Sequence, residues 1–177
     1  MADFAYTLVT AKLKDLLAKI RDIGVPQGAT HNWLASLGYK STNDRSMVAV
    51  LKQINFVDSS GKPTILWNQY RGSNPRAVLA GAIRRGYAQL FETYPDAYAR
   101  SDTDLENFVS TRTQAGKQVI SRTVQTFKAL CLLADFTSDT TLQANTPQEI
   151  APVSEAKSGL GIPERISGLE TGLTGMG

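Results

Sequence analysis

Cysteine, histidine and long apolar runs are scarce in this sequence, and each shortage excludes a class of protein. The 177 residues include one cysteine, Cys131, and one histidine, His31. A lone cysteine cannot form an intrachain disulfide, and these two residues cannot supply the four ligands of a structural zinc site. No apolar run approaches the roughly 18 residues of a membrane-spanning helix, and no basic stretch followed by an apolar one opens the chain. We therefore expect a cytoplasmic protein with no membrane, metal or cofactor partner.

Catalytic patterns are equally sparse. A histidine triad would have to be built around His31, which we expect at the surface near the start of a short helix. Asp102, Asp104 and Glu106 could serve glycosidase or metal chemistry, but we favour a first helical turn, where the helix dipole attracts acids. No glycine loop placed to cradle a phosphate and no nucleophile elbow is present. The sequence therefore predicts that the protein is not an enzyme.

Charge is unevenly distributed along the chain. Residues 1–72 hold nine Lys and Arg against five Asp, a net charge of +4, and residues 73–137 hold eight basic against six acidic residues, a net charge of +2. Residues 138–177 hold two basic against five acidic residues, a net charge of −3. A mildly basic front permits a nucleic-acid partner, although proteins held mainly by phosphate contacts are usually more basic.

Three helices are predicted in residues 1–72 from apolar residues that repeat at helical spacing. They span roughly Thr7–Arg21, Thr30–Leu37 and Ser41–Ile54. Thr30 is the expected N-cap of the second helix, and Ser41 and Asp44 have the spacing of a capping box at the start of the third. The link Gly38-Tyr39-Lys40 has the length expected between the last two helices of a helix-turn-helix.

After the third helix the apolar period changes from that of a helix to that of a strand. Asn55–Asp58 and Pro63–Trp67 are predicted strands, joined by a turn at Ser59–Lys62 in which Gly61 supplies a positive φ. The order helix, short helix, helix, hairpin predicts a winged helix-turn-helix over residues 1–72. The fold class is therefore mainly α with one small β-hairpin.

The second half, residues 73–137, is predicted to be helical. A long helix over residues 74–94 would brace the molecule, a short helix would follow Ser101, and a longer helix would follow Gly116.

A weak internal sequence similarity leaves two interpretations of this half open. Val50–Phe56 resembles Leu130–Phe136, so the second half is either a degenerate second helix-turn-helix that lacks its hairpin or a pair of similar amphipathic helix ends. Residues 138–177 contain no aromatic residue and are rich in Thr, Ser, Gly and Pro, which predicts a flexible tail.

Several motifs in order carry a family resemblance. They are LGYKSTNDR at 37–45, VLK at 50–52, FVD to GKPT at 56–64, YAQLF at 87–91, YPDA at 94–97 and TFKALC to ADF at 126–136. Over roughly residues 5–137 the chain resembles an uncharacterised prokaryotic family of unknown function with winged-helix character. The resemblance implies a cytosolic protein and carries no activity or catalytic residue with it. In that family a strand-forming segment follows the last helix, where this chain has its glycine-rich tail.

The third predicted helix and the wing carry the residues expected to contact DNA. In a winged helix-turn-helix the third helix enters the major groove and the wing contacts the backbone. The side chains placed to reach base edges or phosphates are Lys40, Ser41, Asn43, Arg45, Ser46, Ala49, Lys52, Gln53, Lys62 and Arg71. Asp44 opposes this function, because a carboxylate at the entering end of the helix would repel phosphate.

Two functions are left open by the sequence. The first is a protein that binds double-stranded DNA, such as a regulator, with helix 41–54 and the wing at 59–63. The second is a winged-helix protein-interaction module that forms a homo-oligomer or joins a bacterial multi-protein complex. The modest net charge and the apolar residues scattered through residues 138–177 motivate the second function.

Overall fold

Helices make up most of the structure, a computed structural model that describes residues 3–138. The α-helices are α1 (Thr10–Asp22), α2 (His31–Ser36), α3 (Ser46–Gln53), α4 (Ile65–Tyr70), α5 (Pro75–Gly86), α6 (Ala88–Thr93), α7 (Asp102–Arg112) and α8 (Lys117–Leu133). Two short 3₁₀ turns lie at Asn43–Arg45 and Ala97–Ala99. The predicted mainly α class is confirmed, and the tail predicted over residues 138–177 lies outside the described residues from 139 onward.

Local capping explains where several helices begin. The Thr30 hydroxyl accepts a hydrogen bond from the Trp33 amide at 3.2 Å, and Ser101 caps α7 in the same way. The predicted capping box is confirmed: the Asp44 amide donates to Ser41 Oγ at 3.2 Å, and the Ser41 amide donates to Asp44 Oδ2 at 3.0 Å. This box starts the 3₁₀ turn that leads into α3.

The predicted β-hairpin wing is wrong. Within residues 3–138 there is no β-strand, and the only strand-like pairing is an isolated antiparallel bridge between Val57 and Pro63. The second predicted strand is instead the helix α4, whose N-cap Thr64 accepts a hydrogen bond from the Leu66 amide.

Burial along α4 explains the error. Leu66, Trp67 and Tyr70 are buried, whereas Ile65 is 67% exposed. These positions follow the spacing of one helical face, and a run of six residues is too short for sequence periodicity to separate this pattern from strand alternation. Tertiary packing of Trp67 against Trp33, with ring centroids 5.6 Å apart, therefore decides the conformation.

A tight loop, residues 58–62, stands where the wing was expected. Gly61 has the positive φ that the turn requires, at 89°, and the Lys62 amide donates to Asp58 Oδ1 at 3.0 Å. The Gly61 carbonyl also accepts a hydrogen bond from the Ala29 amide at 2.7 Å. The loop is therefore tied to the connection between α1 and α2.

The single long helix predicted over residues 74–94 is also wrong, because it is divided into α5 and α6 at Tyr87. The division lies where Gly86 approaches the end of α3, and Gln53 Nε2 donates to the Gly86 carbonyl. A Cβ placed on Gly86 would lie 2.9 Å from the carbonyl carbon of Gln53 and 3.1 Å from the Cα of Ile54. Only glycine allows this approach of two backbones.

One core runs through both halves of the described chain. Its buried side chains, from Leu13 in α1 to Phe136, form one cluster. The largest fully buried side chains include Trp67, Tyr87 and Phe127, and the rings of the last two meet edge to face at 5.0 Å. Burial of each such side chain contributes roughly 2–3 kcal/mol, so the second half stabilises the first.

Tyr87→Phe is expected to leave stability unchanged or to raise the free energy of unfolding by about 1 kcal/mol. The Tyr87 hydroxyl is buried and has no hydrogen-bond partner among the residues that the structure describes, and this burial raises the pKa of Tyr87. Urea unfolding of the full chain measures the effect, with Tyr70→Phe as the matched control. A loss of more than about 1 kcal/mol would show that the hydroxyl has a stabilising partner.

Candidate nucleic-acid interface

The exposed face of α3 and the turn before it is polar and basic. Arg45, Ala49 and Lys52 are exposed and follow one another at helical spacing, so they form a stripe along the helix. Asn43 is exposed beside the stripe. The buried face of α3, with Met47, Val50 and Leu51, anchors the helix in the core.

Additional cations extend the stripe in both directions along the chain. Lys40 is exposed ahead of α3, and Lys62 is exposed in the 58–62 loop after it. Neither lysine nor Arg45 makes an ion pair within residues 3–138. These charges are therefore available to anions, and exposed charges of this kind act over about 8–10 Å at ordinary salt.

Hydrogen bonds within the 58–62 loop hold its shape. Lys52 Nζ donates to the Ser59 carbonyl at 3.0 Å, which fixes the loop against the end of α3. The Ser60 hydroxyl and the Lys62 amide donate to Asp58, and these bonds lower the pKa of the Asp58 carboxyl. Lys62 therefore sits on a loop of defined conformation, although Asp58 adds one negative charge beside it.

Asp44 does not face the solvent at the entering end of α3 as the sequence suggested. Its side chain is 1% exposed and pairs with Lys12 Nζ of α1 at 2.8 Å. Burial raises the pKa of the Asp44 carboxyl, but hydrogen bonds from Lys12 and Ser41 together bring it below its ordinary value of 3.8. The carboxylate is thus ionised, neutralised by a cation and turned away from the surface, so its repulsion of phosphate is weakened.

Some of the residues predicted to contact DNA are partly buried or already hydrogen-bonded within the protein. Gln53 is half-buried, since its amide donates to Gly86 and accepts from the Ala5 amide at 3.3 Å. The Ser46 hydroxyl lies 2.7 Å from Thr7 Oγ1. Arg71 is half-buried at the end of α4. The structure therefore places the predicted α3 residues beside the 58–62 loop. The side chains of Gln53 and Ser46, however, are already hydrogen-bonded within the protein.

The sequence analysis missed the N-terminal segment, residues 3–8, which precedes α1 without regular secondary structure. The predicted first helix began at Thr7, but α1 begins at Thr10. The Thr7 amide donates to Thr126 Oγ1 of α8 at 3.0 Å, and Phe4 stacks on Tyr87 with ring centroids 5.7 Å apart. The alternation of large side chains at Phe4, Tyr6 and Leu8 is a signal that could have identified it.

This segment forms one wall of a cleft of about 580 Å³ beside α3. The cleft residues are Asp3, Phe4, Ala5, Tyr6 and Leu8 on one side and Thr42, Asn43, Ser46 and Ala49 on the other. A mixed wall of this kind, with amide, hydroxyl, carboxylate and apolar groups, can recognise an edge that offers both hydrogen bonds and an apolar group.

Other residues considered for chemistry occupy structural positions. Asp102 accepts a hydrogen bond from Lys128 at 2.9 Å, and Asp104 accepts one from the Ser101 hydroxyl at the start of α7. His31 is exposed as the first residue of α2. Burial raises the pKa of the Cys131 thiol to about 12, which keeps it protonated at neutral pH.

Metal-ligating clusters and membrane-spanning helices are both absent from residues 3–138. Within residues 3–138, no group of three or more His, Cys, Asp or Glu side chains is arranged to hold a metal ion. None of the helices in that part of the chain has the length and apolar character needed to cross a membrane.

Comparison with known proteins assigns the chain to a family. No curated protein and no solved structure matches it. A family model described as "Family of unknown function (DUF5343)" matches residues 5–141, which include every helix described above. The chain therefore belongs to DUF5343, a family of unknown function.

Proposed function

We propose that this protein binds double-stranded DNA in a prokaryotic cytoplasm, through the face formed by α3 and the 58–62 loop. The observation that carries the proposal is the exposed basic stripe of α3 together with the burial of Asp44 against Lys12. A solvated cationic helix face with its nearby carboxylate neutralised suits a polyanion.

Each part of this face has a distinct role in the proposal. In helix-turn-helix proteins the N-terminal residues of the recognition helix contact base edges, and Asn43 and Arg45, in the 3₁₀ turn that leads into α3, would take that role here. Ala49 is small, so the backbone of α3 can approach the floor of the major groove. Lys40 and Lys62 would contact phosphates, which adds affinity and salt dependence without sequence information.

Fluorescence anisotropy with a labelled duplex, titrated at several salt concentrations, tests the proposal. Arg45→Ala is expected to weaken binding about tenfold, because it removes a base-edge or phosphate contact. Lys62→Ala is expected to weaken binding to all sequences and to reduce the salt slope by about 1. Lys117→Ala, which removes an exposed lysine at the start of α8, is the matched control and should change little.

Two results would reject DNA binding by this face. One is the absence of duplex binding at low salt, and the other is binding that neither Arg45→Ala nor Lys62→Ala changes. Either result would favour the second candidate, a protein-interaction module that self-associates or joins a complex. The exposed Ile65 at the start of α4 is the observation that favours that candidate, and light scattering of the full chain would then measure self-association.

A further inference from the structure

We infer that the cleft between the N-terminal segment and α3 reads an A·T base pair, an inference that rests on the proposed DNA-binding function. The two walls of the cleft carry complementary chemistry. Asn43 offers an amide on one wall, while Leu8 and Asp3 offer an apolar group and a carboxylate on the other.

The amide wall selects adenine. An asparagine side chain can bond bidentately to N6 and N7 of adenine in the major groove. Asn43 is exposed, and its side-chain amide makes no hydrogen bond within residues 3–138. Both its donor and its acceptor are therefore free for a base edge.

The apolar wall selects thymine. Leu8 is 48% exposed and lines the cleft, so its side chain is available for an apolar contact with a ligand. In the major groove, thymine is the base that presents a methyl group, and an apolar side chain is its natural contact. Leu8 and Asn43 together therefore match the two bases of one A·T pair.

Asp3 also lines this cleft with an exposed carboxylate, but it takes no part in the selection. The A·T pair offers one donor in the major groove, the N6 amino group of adenine, and Asn43 would bind it. A G·C pair has neither this adenine edge nor the thymine methyl group, so the A·T preference depends on Asn43 and Leu8 together.

The position of the segment is set by contacts to two other helices. Thr7 is bound to Thr126 of α8 at 3.0 Å and lies 2.7 Å from the Ser46 hydroxyl of α3. The Ala5 amide donates to Gln53 at the other end of α3. Leu8 and Asn43 are therefore held at a defined separation before any ligand binds, which reduces the entropic cost of recognition.

The test measures how tightly the full chain binds three duplexes of equal length, by fluorescence anisotropy. One has an A·T-rich centre, one a G·C-rich centre, and one is the A·T duplex with thymine replaced by deoxyuridine, which lacks the methyl group. We expect the A·T duplex to bind about tenfold more tightly than the G·C duplex, and Asn43→Ala to remove most of this preference. The unsubstituted chain should bind the deoxyuridine duplex several-fold more weakly than the A·T duplex. The Leu8→Ala variant should bind these two duplexes equally tightly.

Leu132→Ala is the matched control, because Leu132 is an exposed leucine of α8 that does not line the cleft. It should retain both the A·T preference and the loss with deoxyuridine. Salt-dependent duplex binding without an A·T preference, or an equal deoxyuridine effect in Leu8→Ala and the unsubstituted chain, overturns the inference and leaves DNA binding intact. Absence of binding to all three duplexes overturns both proposals, so the two failures are distinguishable.

Discussion

Replacing Gly86 with alanine is expected to lower the free energy of unfolding by about 3 kcal/mol or more. The new methyl group would collide with the backbone of Gln53 and Ile54, where α5 ends against α3. Backbone atoms cannot rotate away as a flexible side chain can, so the two helices must separate. Separation would also break the hydrogen bond from Gln53 to the Gly86 carbonyl.

Urea unfolding of the full chain measures this loss as a lower midpoint at an unchanged slope. Gly24→Ala is the matched control, since nothing lies within 4 Å of a Cβ placed at Gly24. That control is expected to be neutral or to stabilise by about 0.5 kcal/mol, because alanine reduces the entropy of the unfolded chain. Equal midpoints for the two variants would contradict the close approach of α5 to α3.

Replacing Asp44 with alanine is expected to cost about 2 kcal/mol at neutral pH. The change removes both the cap on the Ser41 amide and the ion pair with Lys12, which is 2.8 Å long. Lys12 is 47% exposed, so its ammonium group returns to water and adds no further penalty.

The effect of Asp44→Ala should also depend on pH. Because the pKa of Asp44 is lower in the folded chain than its ordinary value of 3.8, its contribution to stability is complete above about pH 4 and declines as the pH falls through the folded-state pKa. The difference in unfolding midpoint between the unsubstituted chain and Asp44→Ala should therefore shrink in acid. Asp22→Ala, which changes an exposed aspartate at the end of α1, is the control, and a difference independent of pH would contradict the buried ion pair.

Features that depend on nearby residues were predictable from the sequence. The caps at Thr30 and Ser101 and the box formed by Ser41 and Asp44 involve partners three residues away, so a short pattern contains all the necessary information. The exposed stripe of α3 was predictable for the same reason, because helical periodicity separates Arg45 and Lys52 from the buried positions.

Features that depend on distant partners were not predictable. The helix α4 forms because Trp67 is buried against Trp33, and the break at Tyr87 follows from the approach of Gly86 to Gln53. In the candidate site, the pairing of Asp44 with Lys12 joins residues 32 positions apart. No local pattern reveals such contacts, which is why the sequence alone made a buried carboxylate look like an obstacle to DNA.

The contact between Thr7 and Thr126 spans 119 positions, and this has a consequence for biosynthesis. A ribosome releases the N-terminal segment first, while α8 emerges only when almost all of the described chain has been made. Helices α1 to α3 can form early from local contacts, but the segment beside α3 must wait for its partner. The nascent chain would therefore acquire its α3 surface in two stages, the cationic helix face first and the adjoining cleft last.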